Sequence, residues 1–413
     1  MALNIVWISF FIIAFVIALI KFLFIPGNEG IFKVLVDGLF DSAKTTVTDV
    51  AFPLAGTMIF FLGIMNIAEK AGAIRLLARA LNPFMKRLFP GVPANHPAMG
   101  EMVMNFSANM LGLDNAATPF GLKAMESLQS LNKDKETATD AQIMFLVLHT
   151  SGLTLIPLSI ITYRLAAGST DATSIFIPCV AGTVCTTLAS IFVVSLKQKL
   201  KWDVVLAGWL VGLSAIIASL LFFVHGMSDA SRNLFSTVSG NLILLLLVVL
   251  IIAGGAWKKV GVFDTFIEGA KQGWDVVLKI IPYLVAMLVG IRVFRDSGAL
   301  SYIVDGIAYL IHFTGMNTDF VPSLPVAIMK PFSGSGARGL MLDIFKNPAY
   351  GPDSFVGKVA STFQGSADTT FYIIALYFGS VGIKKVRYAI WAGIAADIIG
   401  VIAAIIICYI FFH

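Results

Sequence analysis

Long apolar runs, separated by short charged or amphipathic stretches, occupy almost the whole chain. Nine of them, Ala2–Phe24, Val50–Lys70, Ala141–Ala167, Thr173–Leu196, Val204–Val224, Gly240–Ala256, Leu278–Phe294, Val356–Phe378 and Tyr388–Phe411, come close to the ~20 residues a helix needs to cross a bilayer. Four others, Ile31–Thr48, Ile74–Leu88, Val262–Trp274 and Ala299–Phe313, alternate apolar and charged positions at helical spacing, which predicts helices lying along the membrane surface. Two segments fit neither pattern: Asn105–Gln129 and Lys330–Phe345 are too polar for lipid, yet they occupy matching places inside the two hydrophobic halves. Backbone leaves the helix at membrane depth only where it lines protein or a water-filled cavity. Both are therefore expected to form re-entrant hairpins, and to mark a site.

Composition agrees with a polytopic all-α membrane protein: 413 residues, 58% hydrophobic, 13% charged, mean hydropathy +0.88. The net charge of +5 is read as Lys and Arg retained in cytoplasmic loops, so no nucleic-acid partner is expected. Cys179, Cys185 and Cys408 lie in apolar stretches without metal-type spacing and are read as small buried hydrophobes. The first apolar segment lacks a basic start and a small-residue cleavage site, which reads as a retained anchor. No soluble domain is long enough to fold alone.

The halves repeat weakly but in order. Gly30-Ile31-Phe32 is echoed by Gly261-Val262-Phe263 at an offset of 231, Pro53 by Pro282 and Val92-Pro93 by Val321-Pro322 at 229, and Phe106-Ser107 by Phe332-Ser333 at 226. A slowly drifting offset is what small loop deletions produce. The chain divides accordingly into a first repeat over 1–202, a linking helix and loop over 203–235, and a second repeat over 236–413. One extra span between two units of even count makes the second enter from the opposite face, so the repeats are expected to be inverted. With the amino terminus inside, Lys70, Arg75, Arg79, Lys86, Arg87, Lys197, Lys199, Lys201, Lys258, Lys259, Lys384, Lys385 and Arg387 all fall on the cytoplasmic side. Gly298–Phe320, the surface stretch of the second unit, carries no Lys or Arg. Lys346 and Lys358 break the rule beside the second hairpin.

In the first hairpin, Asn105, Ser107, Asn109, Asp114, Asn115 and Thr118 surround Gly112 and end at Pro119. Unwound backbone there would offer free N–H and C=O groups and two half-helix ends, which favour bound ions or polar solutes. The competing reading is polar helix packing through small residues. Asp114 stands out because an unpaired carboxylate in a membrane is costly. The second hairpin concentrates Ser333, Gly334, Ser335, Gly336, Arg338 and Gly339. Its formal G-x-G-x-x-G follows no strand and lies in no βαβ unit, so the glycines are expected to permit a tight tip. Arg338 fits an anionic solute or a structural bridge to Asp343 or Asp114, the bridge being favoured. The span after each hairpin is broken by polar residues: His149, Thr150, Ser151 and Pro157 in one, Gln364, Ser366, Asp368, Thr369 and Thr370 in the other. Two broken spans facing two hairpins would enclose a polar chamber near the midplane. His149 reads either as a hydrogen-bonded core histidine or as a proton carrier, and Asp368 is the better candidate for ion coupling.

These residues also carry a resemblance. NMLGLDNAATPFGLKAMESLQ followed by HTSGLTLIP resembles the spore maturation protein A family, while PFSGSGARGLMLDIF, GPDSF and ASTFQGSADTTFYIIALYFGSVGIKK resemble spore maturation protein B. Together the motifs cover most of residues 30–413, as a natural A–B fusion would. Both halves are similar to the nucleoside-recognition or Gate domains shared with concentrative nucleoside transporters and ferrous-iron permeases. That resemblance implies a membrane permease-like fold; it leaves the solute open, a nucleoside-like one being among the candidates. Where this chain has Asp368, many B-type relatives have Glu, which keeps the carboxylate.

The expected function is secondary transport of a small polar solute, coupled to Na⁺ or H⁺, by a multi-pass protein of the bacterial inner membrane. Asn105, Ser107, Asn109, Asn115, Thr150 and Ser151 would supply one wall of the substrate site and Ser333, Ser335, Arg338, Gln364, Ser366 and Thr369 the other, with Asp114, Asp368 and His149 coupling the ion. The rival is a non-transporting component that supports envelope or spore maturation through a protein partner. No Ser with a paired base, no His pair at metal spacing and no P-loop occur, so neither an enzyme nor a cofactor is expected. The amphipathic segments suit a homo-oligomer interface or lipid headgroups equally.

Overall fold

The structure is a computed structural model that describes residues 2–112, 114–200, 202–313, 315 and 317–413, with the side chains at 2–6, 114–116, 229, 230, 233, 276, 279, 280 and 283 outside the description. Helix α1 (Ala2–Phe24) is followed by α2 (Ile31–Thr45), a π-turn at Thr46–Ala51 and α3 (Phe52–Lys70). Then come α4 (Ala73–Leu88), the pair α5 (Pro97–Met110) and α6 (Asp114–Leu131), α7 (Asp140–Ser151), α8 (Leu158–Ala166), α9 (Phe176–Gln198), α10 (Val204–His225) and α11 (Asp229–Trp257). The remainder comprises α12 (Val262–Asp296), α13 (Ala299–His312), α14 (Leu324–Met329), α15 (Gly334–Lys346), α16 (Phe355–Gly365), α17 (Thr370–Ser380) and α18 (Ala389–Phe412). Among the described residues there is no strand, only an isolated bridge between Thr137 and Lys385.

Six stretches among the described residues are long and apolar enough to cross a membrane: Trp7–Phe24, Ile31–Lys70, Phe176–Gln198, Val204–His225, Leu234–Trp257 and Ala389–Phe412. The chain is a polytopic membrane protein. Two expected surface helices turn out to be continuous with the spans that follow them. The amphipathic stretch from Ile31 runs through the π-turn into α3, and the one from Val262 continues to Asp296 as one helix of 35 residues. A π-turn absorbs an extra residue without ending the helix, and here it immediately precedes Pro53, whose missing N–H would otherwise interrupt the ladder.

The spans Ala141–Ala167 and Val356–Phe378 are instead each split into two short helices, as their polar centres predict. α7 starts at a capping box, in which Thr139 and Gln142 satisfy each other's free groups, and stops at Gly152 in the left-handed region (φ 58°). α16 stops at Gly365, and α17 starts after Thr369.

By contacts the chain forms two compact units. The first joins Met1–Gly63, Ile160–Ala172 and Gly269–Gln364. It therefore contains the hairpin of α14 and α15, the helix α16 that follows it, and α8. Ala14 and Ala18 of α1 pack on Ile31 and Leu35 of α2 and on Val293 of α12. The second unit joins Ile64–Ser159, Thr173–Glu268 and Gly365–His413. It contains the hairpin of α5 and α6, the helix α7 that follows it, and α17. Its core is built from Phe84, Met85 and Leu88 of α4, Met102 and Phe106 of α5, Phe145 of α7 and Phe378 of α17. α9 and α18 approach closely because Gly400 leaves room for Thr186, whose Oγ1 would lie 2.5 Å from an added Cβ.

Candidate functional site

In the second unit the α5–α6 turn, the break after α7 and the start of α17 meet. Leu155 N–H donates to Met110 C=O (2.8 Å), and Asp368 N–H donates to Thr150 C=O (2.8 Å). Gly152 touches the backbone of Ala367 and Asp368, its would-be Cβ 3.3 Å from Asp368 N, while Gly112 (φ 70°) sits as closely on Ile156 C=O. Broken backbone in one element thus supplies the partners missing in the next, which is how unwound segments avoid unsatisfied polar groups.

Around this junction lies a buried polar cluster. Asn105 Nδ2 donates to Ala117 C=O (2.7 Å), tying α5 to α6 and turning Oδ1 toward His149. His149 Nδ1 lies 2.9 Å from Asn109 Nδ2, 3.1 Å from Asn105 Oδ1 and 3.3 Å from the Tyr377 hydroxyl. Its other nitrogen, Nε2, is 3.8 Å from Asp368 Oδ2. Tyr377 stacks on Phe145 (centroids 5.7 Å apart, planes at 22°) and meets the His149 ring edge-on at 4.9 Å. Asp368 is the open member: its side chain is 46% exposed, and Oδ1 accepts the Thr369 N–H (2.7 Å).

The other expected residues of this region behave differently. Ser107, Thr150 and Ser151 are buried, and their hydroxyls donate to Val103, Val147 and Leu148 carbonyls of their own helices. Ser151 Oγ also accepts from Thr187 (3.2 Å). Thr369 stands at the N-cap position of α17 without a side-chain capping bond, and Ser366 is buried in the break before it. Asp114 and Asn115 begin α6, and their side chains lie outside the described residues.

The first unit holds the second hairpin. Ser333 caps α15, accepting Gly336 N–H (3.0 Å), with Ser335 Oγ 3.2 Å away. Lys330 is buried and donates to Gln364 C=O (2.8 Å), while Gln364 Nε2 donates to Gly334 C=O (3.3 Å). Gln364 Oε1 is buried with no hydrogen-bond partner among the described residues. The expected bridge from Arg338 to Asp343 does not form. Arg295 pairs with Asp343, and the Arg338 guanidinium lies over the Tyr163 ring, 5.0 Å from its centroid. The glycines of this hairpin also serve another end than a tight tip. Gly336 and Gly339 let α15 close on its neighbours, since an added Cβ would meet the Met329 and Met287 methyls or Ile291 Cδ1 at 2.5–3.1 Å.

Two further features of this unit bear on its chemistry. Arg164 is fully buried and holds Asp353 of the GPDSF segment (2.8 Å) together with the Asp171 carbonyl and the Ser361 hydroxyl. Burial alone would raise the Asp353 carboxyl. The Ser169 hydroxyl, the Thr170 N–H and hydroxyl and the Arg164 charge outweigh it and hold this loop carboxyl below the usual carboxylate range. A cavity of about 520 Å³, lined by Asp41, Thr45, Asp49, Tyr163, Arg292 and Lys346 among others, is large enough for a small solute but includes none of the expected site residues. Arg292 is already committed there to Asp296 and Asp41.

Sequence reasoning missed Tyr377, Asp397 and Gly121. An aromatic inside an apolar span carries no signal of its own, but Asp397 did carry one, as a lone carboxylate within α18. It accepts the Thr370 hydroxyl (2.7 Å).

A family model described as "Nucleoside recognition" matches residues 51–169 and 277–384. The chain is 46% identical over 176 residues to spore maturation protein B of Bacillus subtilis (strain 168), which covers 42% of this chain and 96% of that protein. It is 38% identical over 190 residues to spore maturation protein A of the same organism, covering 46% of this chain and 92% of that protein. No solved structure matches it.

Proposed function

Because this chain belongs to the nucleoside-recognition (Gate) family and is homologous to spore maturation proteins A and B, we propose that it is a secondary transporter for a small polar solute, nucleoside-like in kind, and not an enzyme. One observation carries the reading: a hairpin turn and two helix breaks converge in the second unit on a buried His149–Asn105–Asn109–Tyr377 cluster that opens through Asp368. Polar groups and broken helices at membrane depth are costly, and they characterise solute and ion paths. Support for inverted repeats comes from the make-up of the units. Each combines one hairpin, the first half of the broken helix that follows it and the second half of the other broken helix, an exchange that agrees with a duplicated arrangement. In this reading the protein sits in the bacterial inner membrane with its amino terminus cytoplasmic, its partners being the solute and a coupling cation.

The test is uptake by the purified chain in liposomes, across a panel of ribonucleosides and other small polar metabolites, under an imposed ion gradient. Accumulation of at least one solute above protein-free liposomes, reduced about tenfold or more by D368N, is expected. Failure to move any solute in the panel overturns the proposal. A second reading, a non-transporting component of envelope or spore maturation that binds a protein partner, draws on the hydroxyls of Ser107, Thr150 and Ser151, all spent inside their own helices. Under that reading D368N loses folding or partner recovery instead of uptake.

A further inference from the structure

We infer that the coupling ion is a proton, and that it is carried by the His149 imidazole in exchange with the Asp368 carboxyl. This inference rests on the transport reading and names the ion it left open.

Three features of the site lead there. The first is the surroundings of Nδ1. A histidine held for structure needs one partner on each nitrogen, in one tautomer. His149 Nδ1 has both an amide donor, Asn109 Nδ2 at 2.9 Å, and an amide acceptor, Asn105 Oδ1 at 3.1 Å. The Asn105 amide is oriented by its bond to Ala117 C=O, so the acceptor is fixed. When Nδ1 is bare, Asn109 donates to it and the ring proton sits on Nε2, which lies 3.5 Å from the Tyr377 hydroxyl and 3.8 Å from Asp368 Oδ2. When Nδ1 carries the proton, Asn105 accepts it, the Asn109 amide has to turn its N–H₂ away from the ring, and Nε2 is left with its lone pair on the Asp368 side. The cluster therefore accommodates either neutral tautomer and the doubly protonated ring.

The second is a path for the proton. His149 is buried, whereas the Asp368 side chain is 46% exposed, with Oδ2 3.8 Å from Nε2. Transfer of one proton from the Asp368 carboxyl to the Nε2 lone pair breaks an O–H bond, forms an N–H bond and leaves a carboxylate beside an imidazolium, with net charge unchanged. The titratable groups facing the ring among the described residues are Asp368 and Tyr377, both contributed by the second broken helix.

The third is the donor set. Alkali and other hard cations want a cage of oxygens, whereas imidazole nitrogen suits protons and transition metals. Here Asp368 Oδ1 already accepts the Thr369 N–H, Oδ2 faces a nitrogen, and the Thr150 carbonyl is taken by the Asp368 N–H. Among the described residues, the oxygens at this point are thus each engaged with an N–H or set against a nitrogen, a donor set that favours a proton over sodium.

The experiment uses the full chain in lipid nanodiscs with ¹⁵N-labelled histidine, the His149 signals being assigned by their loss in H149Q. As pH is lowered from about 8 to about 4, a range wide enough for a buried imidazole, His149 is expected to pass from one N–H to two. D368N should keep one N–H throughout, and D368E should restore the change. A His149 that keeps one protonation state across this range, or one whose change is unaffected by D368N, overturns the inference. In parallel, uptake of the same solute panel is driven either by a pH gradient without sodium or by a sodium gradient at fixed pH. Uptake with the pH gradient alone supports the inference, and uptake only with sodium overturns it while leaving transport intact. No uptake with either gradient overturns the transport reading itself, whatever His149 does.

Discussion

Gly121 has no room for a methyl group: a Cβ there would fall 2.0 Å from the Tyr377 hydroxyl and 2.9 Å from Asn105 Nδ2. G121A should therefore destabilise the protein by about 1–3 kcal/mol, as overpacking does, read as a lower melting temperature in detergent. Y377F removes the nearer of the two Tyr377 atoms it would strike and leaves Cζ at 2.5 Å, so G121A/Y377F should lose less than the two single changes added together. Strict additivity would mean that α6 and α17 do not meet there. Arg164 makes the complementary case. R164M leaves the partly exposed Asp353 without its cation but still held by Ser169 and Thr170, and is expected to cost about 1–3 kcal/mol. Because the Asp353 carboxyl sits below its usual range when folded, its stabilisation is complete above the unfolded carboxylate value of about 3.9 and is lost as pH falls through the lower folded value. Melting temperature should thus fall with acidification more steeply in the wild type than in D353N, and parallel curves would contradict the assignment. At this scale the sequence could nominate residues but not their partners. His149 and Asp368 come together because both flank a break, which the residue types announce. Ser107, Thr150 and Ser151 carried the same polar signal, yet serine and threonine hydroxyls can equally bond back to their own helix, and here they do. Arg338 had an acidic neighbour in sequence, but the competitor that won, Arg295, lies 48 residues from Asp343.

The helix breaks are the elements on which the site depends. Gly152 ends α7 in the left-handed region with the Asp368 backbone against it, so G152A should cost about 1–2 kcal/mol in backbone strain and displace Asp368 from His149. The expected readout is loss of uptake beyond what the small fall in melting temperature explains; uptake equal to wild type would show that the break is not needed. Both breaks were legible because glycine, proline and clustered polar residues interrupt otherwise apolar spans. The continuity of α2 with α3, and the single helix Val262–Asp296, were not. A change from amphipathic to apolar pattern marks a change of environment, and the backbone can pass through it without stopping. Only the π-turn ahead of Pro53 records the adjustment.

At the scale of the whole molecule, each compact unit combines half of one broken helix with half of the other. This exchange was not legible in the sequence, because pairing between helices far apart in the chain leaves no local pattern. In the proposed mechanism, solute and proton move together through a chain whose His149–Asp368 pair loads the ion. The most direct measurement is internal pH in liposomes that contain the purified chain and a trapped pH-sensitive dye, after ribonucleosides and the other panel solutes are added outside in sodium-free buffer. At least one solute should acidify the interior, the response should disappear in D368N and return in D368E. If labelled solute enters while internal pH stays constant, or if no solute enters and none changes the pH, the account is contradicted.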